Sequence, residues 1–129
     1  MDKTLVVCDG ETEITYRDIL NATANYDIDE IVLPDTIKVI HEDAFFDRPE
    51  IKRINIPANV QYIGAQAFWG LDDLEELTLP ITVQFVGKHA FCNCGELTLT
   101  VLGSSGDIPS GWDAAFAANI KEVRFQKKT

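Results

Sequence analysis

The side chains best suited to chemistry in this chain are three cysteines, two histidines and a short run of carboxylates. Cys92 and Cys94 form a C-x-C pair, whereas Cys8 is remote in the sequence. A zinc site normally needs four nitrogen or sulfur ligands, or three and an open position. Neither histidine stands at ligand spacing from the pair, and an odd number of cysteines argues against a complete disulfide framework. The sequence therefore predicts no metal site here.

The carboxylates and glycines carry no better signal for catalysis. The acidic run Asp72, Asp73, Glu75 and Glu76 lacks the alternation and the central glycine of an EF-hand loop. The GSSG at 103–106 lacks the lysine of a phosphate-binding loop and is interpreted as a flexible turn. No G-x-S-x-G or dinucleotide fingerprint occurs. We therefore expect no enzyme and no cofactor, and the function has to come from a surface.

The charge of that surface restricts its partners. The chain has 21 acidic and 11 basic residues, a net charge of −10, and residues 28–96 alone carry 12 acidic and 5 basic side chains. Residues 1–27 are also acidic, with a net charge of −4, and residues 97–129 have a net charge of +1. Phosphate groups would repel such a protein, which argues against direct binding of nucleic acid or an anionic membrane. A protein partner with a basic or mixed surface is compatible with it.

Length and the first residues indicate one domain without a targeting segment. A chain of 129 residues with 46% hydrophobic and 25% charged residues fits a single globular domain. The longest apolar run near the start, Leu5–Cys8, is too short for a signal peptide or a membrane span. We expect a cytoplasmic protein from the sequence as given, or a cell-surface protein if a leader has been removed.

A repeat of 23 residues positions all of these side chains. Ile28–Glu50, Ile51–Asp73 and Leu74–Glu96 align without gaps, and such a period is typical of stacked coils. Each copy has a first strand that ends in proline, then a second apolar pair, then Ala-Phe. Three apolar columns follow the first strand: Ile28, Ile51, Leu74, Leu97 and Ile120; Ile31, Ile54, Leu77 and Val123; Leu33, Ile56, Leu79, Leu102 and Phe125.

The segment before the repeats, residues 1–27, is predicted to cap the stack. Thr4–Cys8 and Glu11–Ile14 flank Asp9-Gly10, which is a strong hairpin signal. Thr15 and Asp18 resemble a capping box that starts a helix over 16–24. Its buried side chains are expected to be Ile19, Leu20 and Thr23.

The segment after the repeats, residues 97–129, is predicted to be a degenerate repeat and a C-terminal cap. Gly103–Gly111 is expected to be a loop that breaks the coil. Trp112–Asn119 is expected to form a short helix with Trp112, Ala115 and Phe116 inward. Ile120–Phe125 is expected to add the last strand, and 126–129 a basic tail.

The repeat pattern IxxIxIPxxVxxIGxxAF, most literal in Ile51–Phe68, resembles that of the BspA-like leucine-rich repeat family. The resemblance implies a leucine-rich-repeat solenoid, mostly β with short helical turns, a hairpin-plus-helix cap and an irregular C-terminal cap. Members often have a cysteine a few residues after Ala-Phe, so Cys94 is expected to pack in the core. Members are generally regarded as binding proteins, often on bacterial surfaces and adhesive to host components.

Repeat register also indicates which side chains form rows on the surface. The charged rows Asp29, Lys52, Glu75 and Glu30, Arg53, Glu76 alternate in sign and are interpreted as self-satisfied ladders. Two apolar rows are expected at the surface or its margin, and such patches often mark interfaces. They are Val39, Tyr62 and Phe85, and Phe46, Trp69 and Cys92, the second rimmed by Asp43, Asp47, Glu50, Asp72 and Asp73.

Our leading hypothesis is therefore a non-enzymatic protein–protein interaction module with aromatic rows in acidic surroundings. A second hypothesis is an intracellular acidic inhibitor or decoy that covers a basic, nucleic-acid-binding surface of its target. A fragment of a cell-surface adhesin is a further alternative. The chain is expected to be monomeric, with self-association through the solenoid ends as a structural alternative.

Overall fold

Strands from successive coils stack in parallel to form a β-solenoid of about five turns. The computed structural model describes residues 4–6, 10–23, 29–47 and 50–126, with backbone only for 4–6. The predictions for Cys8, Asp9, Ile28 and the tail at 127–129 lie outside these residues. The division into two caps and three full repeats stays a prediction.

The first strands of the coils form the first ladder, and all of its pairs are parallel. Its hydrogen-bonded orders are β1-β3-β5 and β7-β9-β10. The strands are β1 (Thr4–Val6), β3 (Glu30–Val32), β5 (Arg53–Ile54), β7 (Glu76–Pro80), β9 (Thr98–Leu102) and β10 (Glu122–Phe125).

The second strands of the coils form the second ladder, in the order β2-β4-β6-β8. A parallel bridge from Val86 to Trp112 extends it by one coil. The strands are β2 (Glu13–Ile14), β4 (Val39–Ile40), β6 (Tyr62–Ile63) and β8 (Phe85–Val86). Among the described residues, the one α-helix is α1 (Tyr16–Thr23), and Ser105–Asp107 is a 3₁₀ turn.

The core is the stack of inward side chains that the repeat predicted. Phe45, Phe68 and Phe91 are fully buried, and their ring centroids are 5.1 Å apart in both successive pairs. The preceding alanine of each coil is also fully buried, which lets neighbouring backbones approach closely. The prediction that each Phe fills the centre of its coil is therefore confirmed.

Residues in the left-handed region flank each Ala-Phe turn. One column, Asp43, Gln66 and His89, has φ of 58–63°, and a second, Asp47, Gly70, Asn93 and Asn119, has φ of 56–81°. Between them the backbones pair from coil to coil. The Phe45 N–H donates to the Ala67 carbonyl and the Phe68 N–H to the Ala90 carbonyl, both at 2.7 Å. These bonds make a third ladder along the solenoid.

The predicted N-terminal hairpin is wrong. β1 pairs with β3 and β2 pairs with β4, all in parallel, so β1 and β2 belong to two different ladders. The reason is that each strand satisfies its backbone groups with its equivalent one coil later, here 26 residues away (Thr4 opposite Glu30). The first segment is therefore a coil of the solenoid with a helix in its last turn.

That helix begins as predicted. The Thr15 N–H and hydroxyl both donate to Asp18 Oδ2 at 3.0 Å, and the Asp18 N–H donates back to Thr15 Oγ1 at 3.2 Å. Ile19 is buried and Thr23 is half-buried. Leu20 is 41% exposed, so its predicted place in the core is wrong.

The predicted helix at 112–119 is also wrong, because its backbone groups pair with the preceding coil. The carbonyls of Ala115, Phe116 and Ala118 accept N–H groups of residues 89, 91 and 93 at 2.8–3.0 Å. Trp112 is buried, and its indole N–H donates to the Val83 carbonyl at 2.7 Å. Phe116 and Ala115 are half-buried.

The strand spacing of 23 residues also fails in the fourth copy. Leu99 pairs with Leu77 at a spacing of 22, and Val123 pairs with Leu99 at a spacing of 24. Val101, rather than the predicted Leu102, therefore continues the buried column of Leu79. Pro109 restores the register. Its carbonyl accepts the Trp112 N–H at 3.2 Å, as the Pro80 carbonyl accepts the Val83 N–H at 3.3 Å.

Candidate protein-binding surface

The residues that open β4, β6 and β8 form one row, hereafter the aromatic row: Val39, Tyr62 and Phe85. Tyr62 and Phe85 are 38% and 39% exposed, and Val39 is half-buried. The two rings are stacked, with centroids 4.6 Å apart and planes 5° apart. The next residue of each strand is buried, so alternation along the strand sends the first residue outward. The structure thus brings these three predicted residues together.

The aromatic row is bounded at both ends. In the first coil Glu13 takes its position, and Glu13 Oε1 lies 2.5 Å from His41 Nε2. In the fifth coil the bridge of Val86 to Trp112 places Gly111 at its position. The sequence analysis missed Gly111, because the insertion between the last copies hides its equivalence. Pro109 was the available signal.

The second apolar row is shorter than predicted. Phe46 and Trp69 are half-buried and stacked, with centroids 4.7 Å and planes 11° apart. Cys92, the third member, is 3% exposed, so its predicted place at the surface or its margin is wrong. The reason is the turn of the fifth coil, where the Ala115 carbonyl accepts the Cys92 thiol at 3.7 Å.

The acidic residues around this second row do not form one group. Asp47, Asp72 and Asp73 are exposed, whereas Asp43 is half-buried. Asp43 and Asp47 occupy the two left-handed positions that flank the Ala-Phe turn of their coil, so they lie on either side of Phe46. The Asp72 N–H donates to the Gly70 carbonyl at 3.0 Å, which places the Asp72-Asp73 pair after the next turn.

Charges on the first ladder partly satisfy one another. The Arg53 guanidinium lies 3.6 Å from both Asp29 Oδ1 and Glu30 Oε1, across neighbouring coils. Arg124 Nε lies 2.6 Å from Glu122 Oε2, and this hydrogen bond raises the pKa of Arg124. A groove of about 500 Å³ on this face has a mixed lining that includes Lys52, Glu75 and Lys121. The face therefore offers no surface of one sign.

The cysteines are built into the core. Burial raises the pKa of the Cys94 thiol to about 11 and also raises that of Cys92. The Cys94 thiol donates to the Phe68 carbonyl at 3.0 Å. A neutral buried thiol is a poor nucleophile and a poor metal ligand. The core packing expected for Cys94 is confirmed.

Neither a metal cluster nor a membrane helix is found in the part of the chain that the structure describes. In residues 10–23, 29–47 and 50–126, no three His, Cys, Asp or Glu side chains are grouped so as to hold a metal ion. The described helix is not long and apolar enough to cross a membrane.

Comparison with known proteins gives one match. No curated protein sequence matches the chain. The family model of the BspA type leucine rich repeat region matches residues 20–129 in six copies. This range covers more than four fifths of the chain and includes every coil after the first helix. The chain therefore belongs to the BspA-type leucine-rich repeat family.

Proposed function

We propose that this protein is a non-enzymatic interaction module that binds a protein partner through the aromatic row. Repeats of this family commonly mediate protein–protein interaction or adhesion, and their solenoid is typically a non-enzymatic scaffold. The observation that carries the proposal is the exposed, flat stack of Tyr62 and Phe85. Aromatic side chains are the usual anchors of binding hot spots.

The ladder holds these rings ready for contact. The Tyr62 N–H donates to the Lys38 carbonyl and the Phe85 N–H to the Gln61 carbonyl, both at 3.2 Å. Each ring also restricts its neighbour through stacking. A partner would therefore lose little conformational entropy on this side when it binds. The residues that precede the row in the chain, Lys38, Gln61 and Gln84, are exposed and polar, as the rim of an interface usually is.

The test is capture of partners by the whole chain and by a variant of the row. Tagged Tyr62→Ser/Phe85→Ser protein is compared with wild type in nuclease-treated native lysate. The matched control is Tyr16→Ser/Leu20→Ser, which removes two side chains of similar exposure, 42% and 41%, from α1. We expect a stoichiometric partner with wild type and control, and at least a tenfold loss with the row variant, equivalent to about 1.4 kcal/mol.

Equal capture by the row variant would contradict the proposal, provided that its circular dichroism and melting temperature match those of the control. The salt dependence of wild-type capture then separates the alternatives. Exposed Asp47, Asp72 and Asp73 favour an acidic inhibitor as the second candidate. Such a complex weakens steeply as ionic strength rises, whereas an aromatic contact does not. A partner found only among extracellular host proteins would favour the adhesin.

A further inference from the structure

The far edge of β10 continues the pattern of the core. Val123 and Phe125 lie opposite Leu99 and Val101 in register, and both of those are fully buried. Yet Phe125 is 42% exposed and Val123 is half-buried. The apolar columns of the first ladder thus run through the last strand of the described residues, where a solenoid end would be polar if it were closed to further stacking.

The backbone of β10 also offers hydrogen bonds on that edge. The N–H groups of Glu122 and Gln126 donate to the carbonyls of Leu97 and Val101 in the preceding coil, at 3.2 and 2.8 Å. Because successive N–H groups of a strand point to opposite sides, those of Val123 and Phe125 point away from β9. Within the described residues β10 pairs with β9 alone.

The opposite end of the ladder has a matching edge. β1 pairs with β3 in the described part of the chain, and it runs in the same direction as β10, because every pair in the ladder is parallel. A second copy, moved along the solenoid, would bring its β1 against β10 in parallel. The register of the ladder would then set Thr4 opposite Glu122 and Val6 opposite Arg124.

The charges of the two ends favour this arrangement. Residues 120–129 carry four basic and one acidic side chain, a net charge of +3. Residues 1–27 carry two basic and six acidic side chains, a net charge of −4. Two copies of a chain with a net charge of −10 repel each other in most orientations. Head-to-tail contact is the orientation that brings opposite charges together.

We propose that copies of this chain associate head to tail, with β1 of one copy added in parallel to β10 of the next. The contact joins two different surfaces, so it does not close and yields open, concentration-dependent assemblies. It leaves the aromatic row on the second ladder uncovered along its length. The inference is therefore independent of the proposed function.

Sedimentation velocity of the full chain over a wide range of concentration tests the contact. We expect the mean mass to rise beyond that of a dimer. Phe125→Pro should remain monomeric, because proline removes an outward N–H and the exposed ring while sparing the bonds to β9. Arg124→Ala is the matched control. It removes the ion pair with Glu122 but keeps the edge, so it should assemble like wild type.

A wild type that stays monomeric or stops at a dimer would overturn the proposal. Assembly of folded Phe125→Pro as strong as that of wild type would do the same. A second readout remains if that variant does not fold. In a Cys8→Ser background, Thr4→Cys/Glu122→Cys should form disulfide-linked multimers on mild oxidation, whereas the off-register pair Thr4→Cys/Arg124→Cys should form fewer. Equal yields from the two pairs would reject the predicted register.

Discussion

Gly64 and Gly87 follow the buried end of the second strand in their coils, at a place where no side chain fits. A Cβ on Gly64 would lie 2.4 Å from the backbone nitrogen of Glu42, and one on Gly87 would lie 2.4 Å from that of Ala65. Real Cβ atoms do not approach a neighbouring backbone this closely. The glycine of the repeat motif is therefore required by the spacing of the coils.

Gly64→Ala should destabilise the protein by about 1–3 kcal/mol, since the coils must move apart to admit the methyl group. The free energy of unfolding in urea measures this loss. Gly95→Ala is the control, because a Cβ there meets nothing within 4 Å and the residue is exposed. It should change stability by less than about 0.5 kcal/mol. Equal effects at the two sites would refute the steric explanation.

Burial of the thiols leads to a second prediction for single residues. With the pKa of Cys94 raised to about 11, its thiol stays neutral and enclosed at neutral pH. In a Cys8→Ser background, a thiol reagent at pH 8 should react slowly with the native protein and rapidly with both remaining cysteines in urea. Rapid labelling of the native state would show that Cys92 and Cys94 are accessible.

The same shift gives stability a dependence on pH. The unfolded thiol, with a pKa of 9.0, ionises before the folded one. The stabilisation by neutral Cys94 is therefore complete below pH 9 and is lost as the pH rises toward 11. Urea unfolding at pH 8 and pH 10 should show a smaller loss of stability for Cys94→Ala than for wild type.

At the scale of elements, a side chain takes over where a strand stops. β5 ends at Ile54, two residues into its pairing with β3. Beyond it, Asn55 Oδ1 accepts the Leu33 N–H at 2.7 Å, and Asn55 Nδ2 donates to the Leu33 carbonyl at 2.9 Å. The amide thus completes the hydrogen bonding that a third pair of backbone groups would otherwise supply.

Asn55→Ala should therefore cost about 1–2 kcal/mol, because it removes two hydrogen bonds between coils. Asn59→Ala in the same coil is the comparison, since the Asn59 amide makes a single bond, to the Asp35 carbonyl at 2.9 Å. Unfolding in urea should rank the two variants in that order. The reverse ranking would mean that the Asn55 contact contributes little.

Some of these elements were predictable from the sequence, and others were not. The capping box of α1 is local, since Thr15 and Asp18 contact each other three residues apart. Asp9-Gly10 and Trp112–Asn119 also carry local signals, for a hairpin and a helix. Both signals lose to the solenoid, because pairing with an adjacent coil satisfies more backbone groups than a local turn does.

At the scale of the molecule, the repeat predicted the buried columns and the exposure of Tyr62 and Phe85. It failed where the coils change length. Because β9 follows β7 after 22 residues and the next coil carries an insertion, the identity of the residues over Cys92 could not be derived. Ala115 covers it only because of that insertion. The length of the aromatic row was unpredictable for the same reason, since Gly111 ends it.

The spacing between equivalent residues in this solenoid is 26 at the first coil, 23 in the middle, 22 or 24 in the last strands and 26 from Val86 to Trp112. The ladders fix where each coil returns, and the turns absorb the difference. Foreign peptides inserted in the turn at 103–108 would therefore be displayed on an unchanged frame. The chain is a natural scaffold for engineered recognition, and new specificity can be added to it without redesigning its core.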